Sequence, residues 1–254
     1  MGILMKFLLL AVVAVSAGSA QSLTEPPPLI RFDRRQGTAS VRPYSDTGAH
    51  VNVVGIASVT GRPETWLIEL HDSFASIEDV DKSLRSMGPF GAISGQEASG
   101  DILGDARTFI GTFRPGFSYR PEQATEALRK ARYCQVSIYH VQSGHEAEFA
   151  ELVKSRRILF DSINLDRPDL AYYVLSGATS GTFIFLAPLT SLKILDDAMA
   201  KAPAYAESIA AEGSKSRGFT REYLLFRMEP GASFVSEEFA AGDPEFWHGK
   251  SKTQ

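Results

Sequence analysis

At 254 residues, with 44% hydrophobic and 22% charged residues, the chain is long enough for one large domain or two small ones and too apolar to stay unfolded. Its formal net charge of −4 argues against a protein that binds nucleic acid by neutralising phosphates. A single cysteine, Cys134, excludes an intrachain disulfide, so stability must come from a packed core.

In chain order, Lys6, the apolar run Phe7–Val15 and the small residues Ala17, Gly18 and Ala20 before Gln21 have the layout of a secretory signal over residues 1–20, with Met5 a second possible start. That run is too short to cross a bilayer comfortably. Removing residues 1–20 takes away one lysine and no acid, leaving 25 basic and 30 acidic residues. The expectation is a soluble, secreted or periplasmic protein without membrane contact once the signal is gone. Residues 21–28 end in Pro26-Pro27-Pro28, a stiff extended spacer. Leu29–Phe32 is a short strand, and Gln36–Thr47, with Gly37 and Pro43, reads as loop. His50–Val59 and Thr65–His71 are strands joined by Thr60-Gly61-Arg62-Pro63. A helix over Ser76–Met87, a strand over Thr108–Phe113 and a connection over Pro121–Arg132 follow.

In Tyr133–Val141, Cys134, Val136 and Ile138 alternate with Tyr133, Gln135, Ser137 and Tyr139, the period-two pattern of a strand. Ser143-Gly144-His145-Glu146 has capping-box spacing for a helix over Ser143–Ile163, whose Phe149, Leu152, Val153 and Phe160 form an apolar stripe. This stripe is expected on the Cys134 face of the strand, leaving the tyrosine face open. Strands Leu170–Ser176 and Thr182–Ala187 are joined by a hairpin turn at Gly177-Ala178-Thr179-Ser180-Gly181. A helix Ser191–Met199, a helical segment Ala204–Glu212, a strand Glu222–Met228 and a tail from Ser236 to Gln254 complete the chain. The order is βαββαβ, that of a ferredoxin-like plait.

Ser76, Ile77, Val80 and Leu84 recur as Ser191, Leu192, Leu195 and Met199, each 115 residues later, and Pro115–Tyr119 matches Pro230–Phe234 at the same offset. One offset shared by several features indicates duplication of one unit. The expected division is a first, truncated repeat at 29–120, a linker at 121–131, a complete repeat at 132–235 and the tail at 236–254. The fold class expected is α+β.

The helix opening SGHEAEF (residues 143–149) after a strand resembles an element of the dimeric α/β-barrel superfamily, which includes NIPSNAP-type proteins and antibiotic-biosynthesis-type monooxygenases. Together with HDSFASIE (71–78), RTFIGTFRPGFSYRP (107–121), SGATSGTFIF (176–185) and DPEFW (243–247), it is similar to a group of exported, functionally uncharacterised bacterial proteins with two such repeats. The resemblance implies two ferredoxin-like plaits of the tandem dimeric α/β-barrel type, packed sheet to sheet within one chain around a cavity. It also implies a monomer or weak dimer, with an open edge near Leu29–Phe32 as the place a dimer would form.

The strand faces expected to line that cavity offer Glu69, His71, Tyr133, Gln135, Tyr139 and Arg227 as ligand-binding residues. His71 is the best catalytic candidate: with Glu69 two residues away it can act as a base, or it simply caps the strand end beside Asp72. The tyrosines either meet a ligand or belong to the core, and Arg227 must be paired, exposed or set against an anion. No metal is expected, because His145-Glu146-Ala147-Glu148 lacks a second histidine at zinc spacing. No cofactor is expected either; a haem would need an axial histidine aimed into a cavity, and His145 lies on the polar side of its helix. Two functions are open. The leading one is a non-enzymatic exported module that binds a small apolar or aromatic ligand, or a partner, through the cavity between the sheets or through the outer face. The other is a cofactor-independent monooxygenase-like or related small-molecule enzyme.

Overall fold

The computed structural model describes residues 25–36, 51–86, 108–202 and 218–248. The expected signal, the loop Gln36–Thr47 beyond its first residue and the helical segment Ala204–Glu212 lie outside the described residues. Eight strands are described: β1 (Leu29–Gln36), β2 (Asn52–Ser58), β3 (Glu64–His71), β4 (Thr108–Phe113), β5 (Tyr133–Val141), β6 (Leu170–Ser176), β7 (Thr182–Leu189) and β8 (Phe219–Met228). They form one closed antiparallel barrel in the order β1-β3-β2-β8-β5-β7-β6-β4.

Closure corrects two expectations. The halves do not face each other as separate sheets: β2 joins β8 through Ile56↔Met228 and β4 joins β6 through Thr112↔Tyr173, so the sheet is continuous. Nor is β1 an open edge, because it pairs with β3 on one side and β4 on the other and runs four residues past Phe32. Every strand of a closed barrel has two partners, which leaves no unpaired row of amides for another chain.

The interior is filled. Ile30, Phe32, Ile56, Trp66, Phe109, Val136, Ile138, Tyr172, Ile184 and Phe226 are almost wholly buried and belong to one apolar cluster. Among the described residues a cavity of about 30 Å³ lies in this interior, with an apolar lining that includes Ile30, Leu70, Cys134, Leu170, Tyr172 and Met228. That is far below the few hundred Å³ a small ligand needs, so among the described residues this cavity is too small to hold one. Burial pushes the Cys134 thiol up to about 12, so it stays a protonated, unreactive thiol at neutral pH.

Helices cover the outside: α1 (Phe74–Ser86), α2 (Ala124–Lys130), α3 (Glu146–Ser162), α4 (Lys193–Lys201), α5 (Glu237–Ala240) and α6 (Pro244–Trp247). α1 sets Val80 and Leu84 on Val53 and Leu67. α3 packs Phe149 and Val153 onto Tyr139, Val141, Ala171 and Phe185. The helix therefore lies on the tyrosine face of β5, and Cys134, Val136 and Ile138 point into the barrel, the reverse of the expectation. α3 also begins later than expected. His145 N–H donates to Gln142 O at 3.1 Å and Gly144 takes a left-handed φ of 92°, so a turn precedes the helix. Glu146 accepts from the Gly144 amide rather than closing a box with Ser143.

The 115-residue offset returns in three dimensions. Pro115–Phe117 and Pro230–Ala232 are both single 3₁₀ turns. Ser118 Oγ donates to Arg114 O and accepts from Ala171 N–H, both at 2.9 Å, while Ser233 Oγ donates to Glu229 O at 2.7 Å and accepts from Gly55 N–H at 2.9 Å. Tyr119 then bridges to Asp169 as Phe234 bridges to Val53. The helices match less well. Leu84 is buried, but Met199 at its offset is 46% exposed, and α4 buries Ala198 instead.

The tail is a plug. Phe239, Ala240 and Trp247 pack into the barrel cluster beside Ala124 and Ala131 of the α2 segment, at the end where β1 starts. Trp247 Nε1 donates to Arg129 O at 2.7 Å, and Arg132 pairs with Asp243 while its guanidinium covers the Phe246 ring.

Candidate functional site

β3 places Trp66, Ile68 and Leu70 in the barrel and turns the alternate residues Leu67, Glu69 and His71 outward. An outward residue would ordinarily meet water, yet Glu69 and His71 are each only 1% exposed. Strand pairing sets Arg31 opposite Glu69 and Leu29 opposite His71. Arg31 Nη2 donates to Glu69 Oε1 at 2.7 Å, and Glu69 Oε2 lies 2.9 Å from His71 Nε2. The other imidazole nitrogen, Nδ1, is 2.9 Å from Ser76 Oγ.

Ser76 arrives there because the chain turns directly from β3 into α1. Ser73 Oγ accepts from Ser76 N–H at 3.2 Å, starting the helix, and Ser76 Oγ donates to Ser73 O at 2.9 Å. The result is a linear set, Arg31, Glu69, His71 and Ser76, buried at Glu69 and His71 and half-buried at the two ends. The Ser76 hydroxyl proton lies on Ser73 O, so toward Nδ1 the serine presents an oxygen lone pair and must turn its proton before Nδ1 can accept it.

The other half of the barrel has no such set. Register places Gln135 opposite Ala187 and Tyr133 opposite Leu189 on the corresponding strand pair, so alanine and leucine stand where Glu69 and His71 would. Ser191, 115 residues after Ser76, accepts from Lys193 N–H at 3.2 Å and has no histidine partner among the described residues. Buried charges carry a desolvation cost that apolar side chains avoid. The fold works without them in its second half, so the set in the first half is not a packing requirement.

The remaining candidates are dispersed. β3 and β5 are separated by β2 and β8, so Tyr133, Gln135 and Tyr139 are remote from His71 in strand order. Tyr139 is fully buried against Phe149 and Phe185, with ring centroids at 5.2 and 5.4 Å. Its hydroxyl has no hydrogen-bond partner among the described residues. Arg227 is exposed and donates from Nε to Glu229 Oε1 at 2.6 Å. His145 Nδ1 lies 3.0 Å from Glu148 Oε2 on the surface, and no group of three His, Cys, Asp or Glu suited to a metal is found among the described residues.

Arg31 and Ser76 were not singled out from the sequence for chemistry. Arg31 had a signal: Leu29, Arg31, Asp33 and Arg35 alternate with Ile30 and Phe32, which marks a charged outer face on β1. Ser76 had only its repeat match, since a serine five residues after a histidine means nothing until a turn brings them together.

No family model matches the chain, and no curated protein matches it in sequence. Among solved structures, a proposed monooxygenase from Fusobacterium nucleatum is 11% identical, with 83% of this chain and 99% of that chain covered at a TM-score of 0.49. A mutant chlorite dismutase from Candidatus Nitrospira defluvii is also 11% identical, covering 88% and 98% at 0.49. A ferredoxin-fold protein from Listeria monocytogenes related to antibiotic biosynthesis monooxygenases is 8% identical, covering 82% and 99% at 0.37. At these values the neighbours assign no activity, and the chemistry of the site rests on its own residues.

Proposed function

We propose that the chain is a cofactor-independent enzyme acting on a small molecule at the outer face of the first half of the barrel, with His71 as general base. Glu69 orients the imidazole and Arg31 offsets the carboxylate charge. The observation that carries this reading is a buried histidine held at 2.9 Å on both ring nitrogens, by an acid and a hydroxyl, where the matching strand pair carries Ala187 and Leu189. The rival, a module binding an apolar ligand between the sheets, is supported among the described residues by a cavity of about 30 Å³. Tyr133, Gln135, Tyr139 and Arg227 have no role in the proposed site.

In the same reading the barrel is two ferredoxin-like units, 29–120 and 132–235, fused edge to edge in a monomer. The strand orders β4-β1-β3-β2 and β8-β5-β7-β6, which place the first, second, third and fourth strand of each half alike, support it, as do the paired 3₁₀ turns. Residues 1–20 serve as an export signal, so protein recovered from the periplasm or medium should begin at Gln21; one beginning at Met1 or Met5 would exclude cleavage.

Turnover of phenolic substrates and activated esters, followed as oxygen uptake and proton release, tests the activity. His71→Ala should lower kcat/KM by about 100-fold or more, the usual contribution of a positioned base. Full activity in that variant, or no turnover of either class by the wild type, would reject the assignment.

A further inference from the structure

Resting on the general-base reading, the geometry points to Ser76 as a nucleophile and to esters with a small apolar acyl group as the substrate class. Ser76 Oγ lies 2.9 Å from a base, His71 Nδ1, and an acid, Glu69, fixes that base from its far side, also at 2.9 Å; the hydroxyl, which donates to Ser73 O at rest, becomes reactive when it turns its proton to Nδ1. The imidazole is turned so that Nδ1 rather than Nε2 faces the serine. Either ring nitrogen accepts a proton equally well once the other is held by a carboxylate.

Three features of the setting fit acyl transfer. His71 and Glu69 are shut away from water while Ser76 is half-buried, so the reactive atom alone is within reach of a ligand. Ser76 sits in the first turn of the 13-residue α1; its own amide is held by Ser73 Oγ, and the neighbouring leading amides, which have no partner inside the helix, can donate to a developing oxyanion. Phe74, in that same turn, is 59% exposed and offers an apolar surface for the acyl group.

In the first step Ser76 Oγ bonds to the ester carbonyl carbon and its proton passes to His71 Nδ1. The carbon–oxygen bond to the alcohol then breaks, and the alcohol leaves with that proton, giving acyl-Ser76. Water attacks the acyl group, passing one proton to Nδ1, and Ser76 Oγ leaves as it recovers that proton. The net change is ester plus water to acid plus alcohol, with no redox partner required.

The test is covalent labelling of the full-length wild-type protein with a fluorophosphonate, with the site found by peptide mass spectrometry. The expected adduct is on Ser76 and not on Ser191, the serine at the same offset that lacks a histidine. Labelling should be lost in Ser76→Ala and slowed about 100-fold in His71→Ala, and the His71→Asn variant, which keeps a polar side chain in the pocket, should be slowed alike while unfolding at the wild-type denaturant midpoint. An unlabelled Ser76 in the wild type overturns the proposal without recourse to any variant, as does equal labelling of Ser76 and Ser191. His71-dependent turnover of a phenolic substrate without a Ser76 adduct would reject the nucleophile and keep the general base. Turnover indifferent to His71 would reject both.

Discussion

A chain ending at Val235 is expected to lose most of its stability, with a denaturant midpoint lowered by the equivalent of roughly 6 kcal/mol or more. The missing segment contains Phe239, which is fully buried, and Trp247, which is 6% exposed, and both belong to the barrel cluster. Removing a buried phenylalanine or tryptophan costs about 3–5 kcal/mol each, against a total of about 5–15 kcal/mol for a whole domain. The truncation also strips Arg129 of its bonds to Phe239 O and Glu238 O, and Arg132 of Asp243. A midpoint within experimental error of the full chain would mean that the segment is a tail after all. Acid provides a second check. The hydrogen bond from Arg132 holds the Asp243 carboxyl below its ordinary range. Its contribution is therefore complete above the ordinary carboxylate pKa and fades as pH falls through the lowered folded value. The full chain should start to lose this part of its advantage over the truncated one as pH falls below the ordinary carboxylate range, and have lost it once pH is below the lowered folded value.

Trp66→Ala should be the most damaging single substitution in the barrel, at about 3–5 kcal/mol. The indole is fully buried and meets the rings of Phe32, Phe109 and Phe226 at centroid distances of 5.9, 6.1 and 5.0 Å. It also closes the barrel end opposite the plug, donating from Nε1 to Glu64 Oε2 at 2.6 Å beneath the Arg34 guanidinium. Alanine leaves a ring-sized void among side chains that a closed sheet cannot draw inward. Glu64 retains Arg34, at 3.0 Å, so the loss is chiefly packing. Equilibrium unfolding with an unchanged m-value and a lowered midpoint is the expected result, and a shift under 1 kcal/mol would show that the barrel collapses around the gap.

Much of this molecule was legible in its residues. The period-two alternation of Thr65–His71 and Tyr133–Val141 located two strands, and the Gly177–Gly181 cluster located a hairpin whose two glycines have φ of 92° and 83°. The 115-residue offset anticipated a pair of hydrogen-bonded hooks, and the two-residue spacing of Glu69 and His71 placed both on one strand face. These are local facts, set by side-chain period and backbone sterics within a few residues.

Which face looks inward was another matter. Alternation on β5 separates Cys134, Val136 and Ile138 from Tyr133, Gln135, Ser137 and Tyr139, but a barrel wrapped in helices buries much of both faces, so polarity ceases to discriminate. The compact aliphatic set went inside, and Tyr139 went under α3, where Phe149 and Phe185 surround it. Arg31, Glu69, His71 and Ser76 became one set through a strand pairing across 38 residues and a turn of five. Phe239 and Trp247 became core because the open end of the barrel needed covering, a demand that exists only once distant strands have closed the ring.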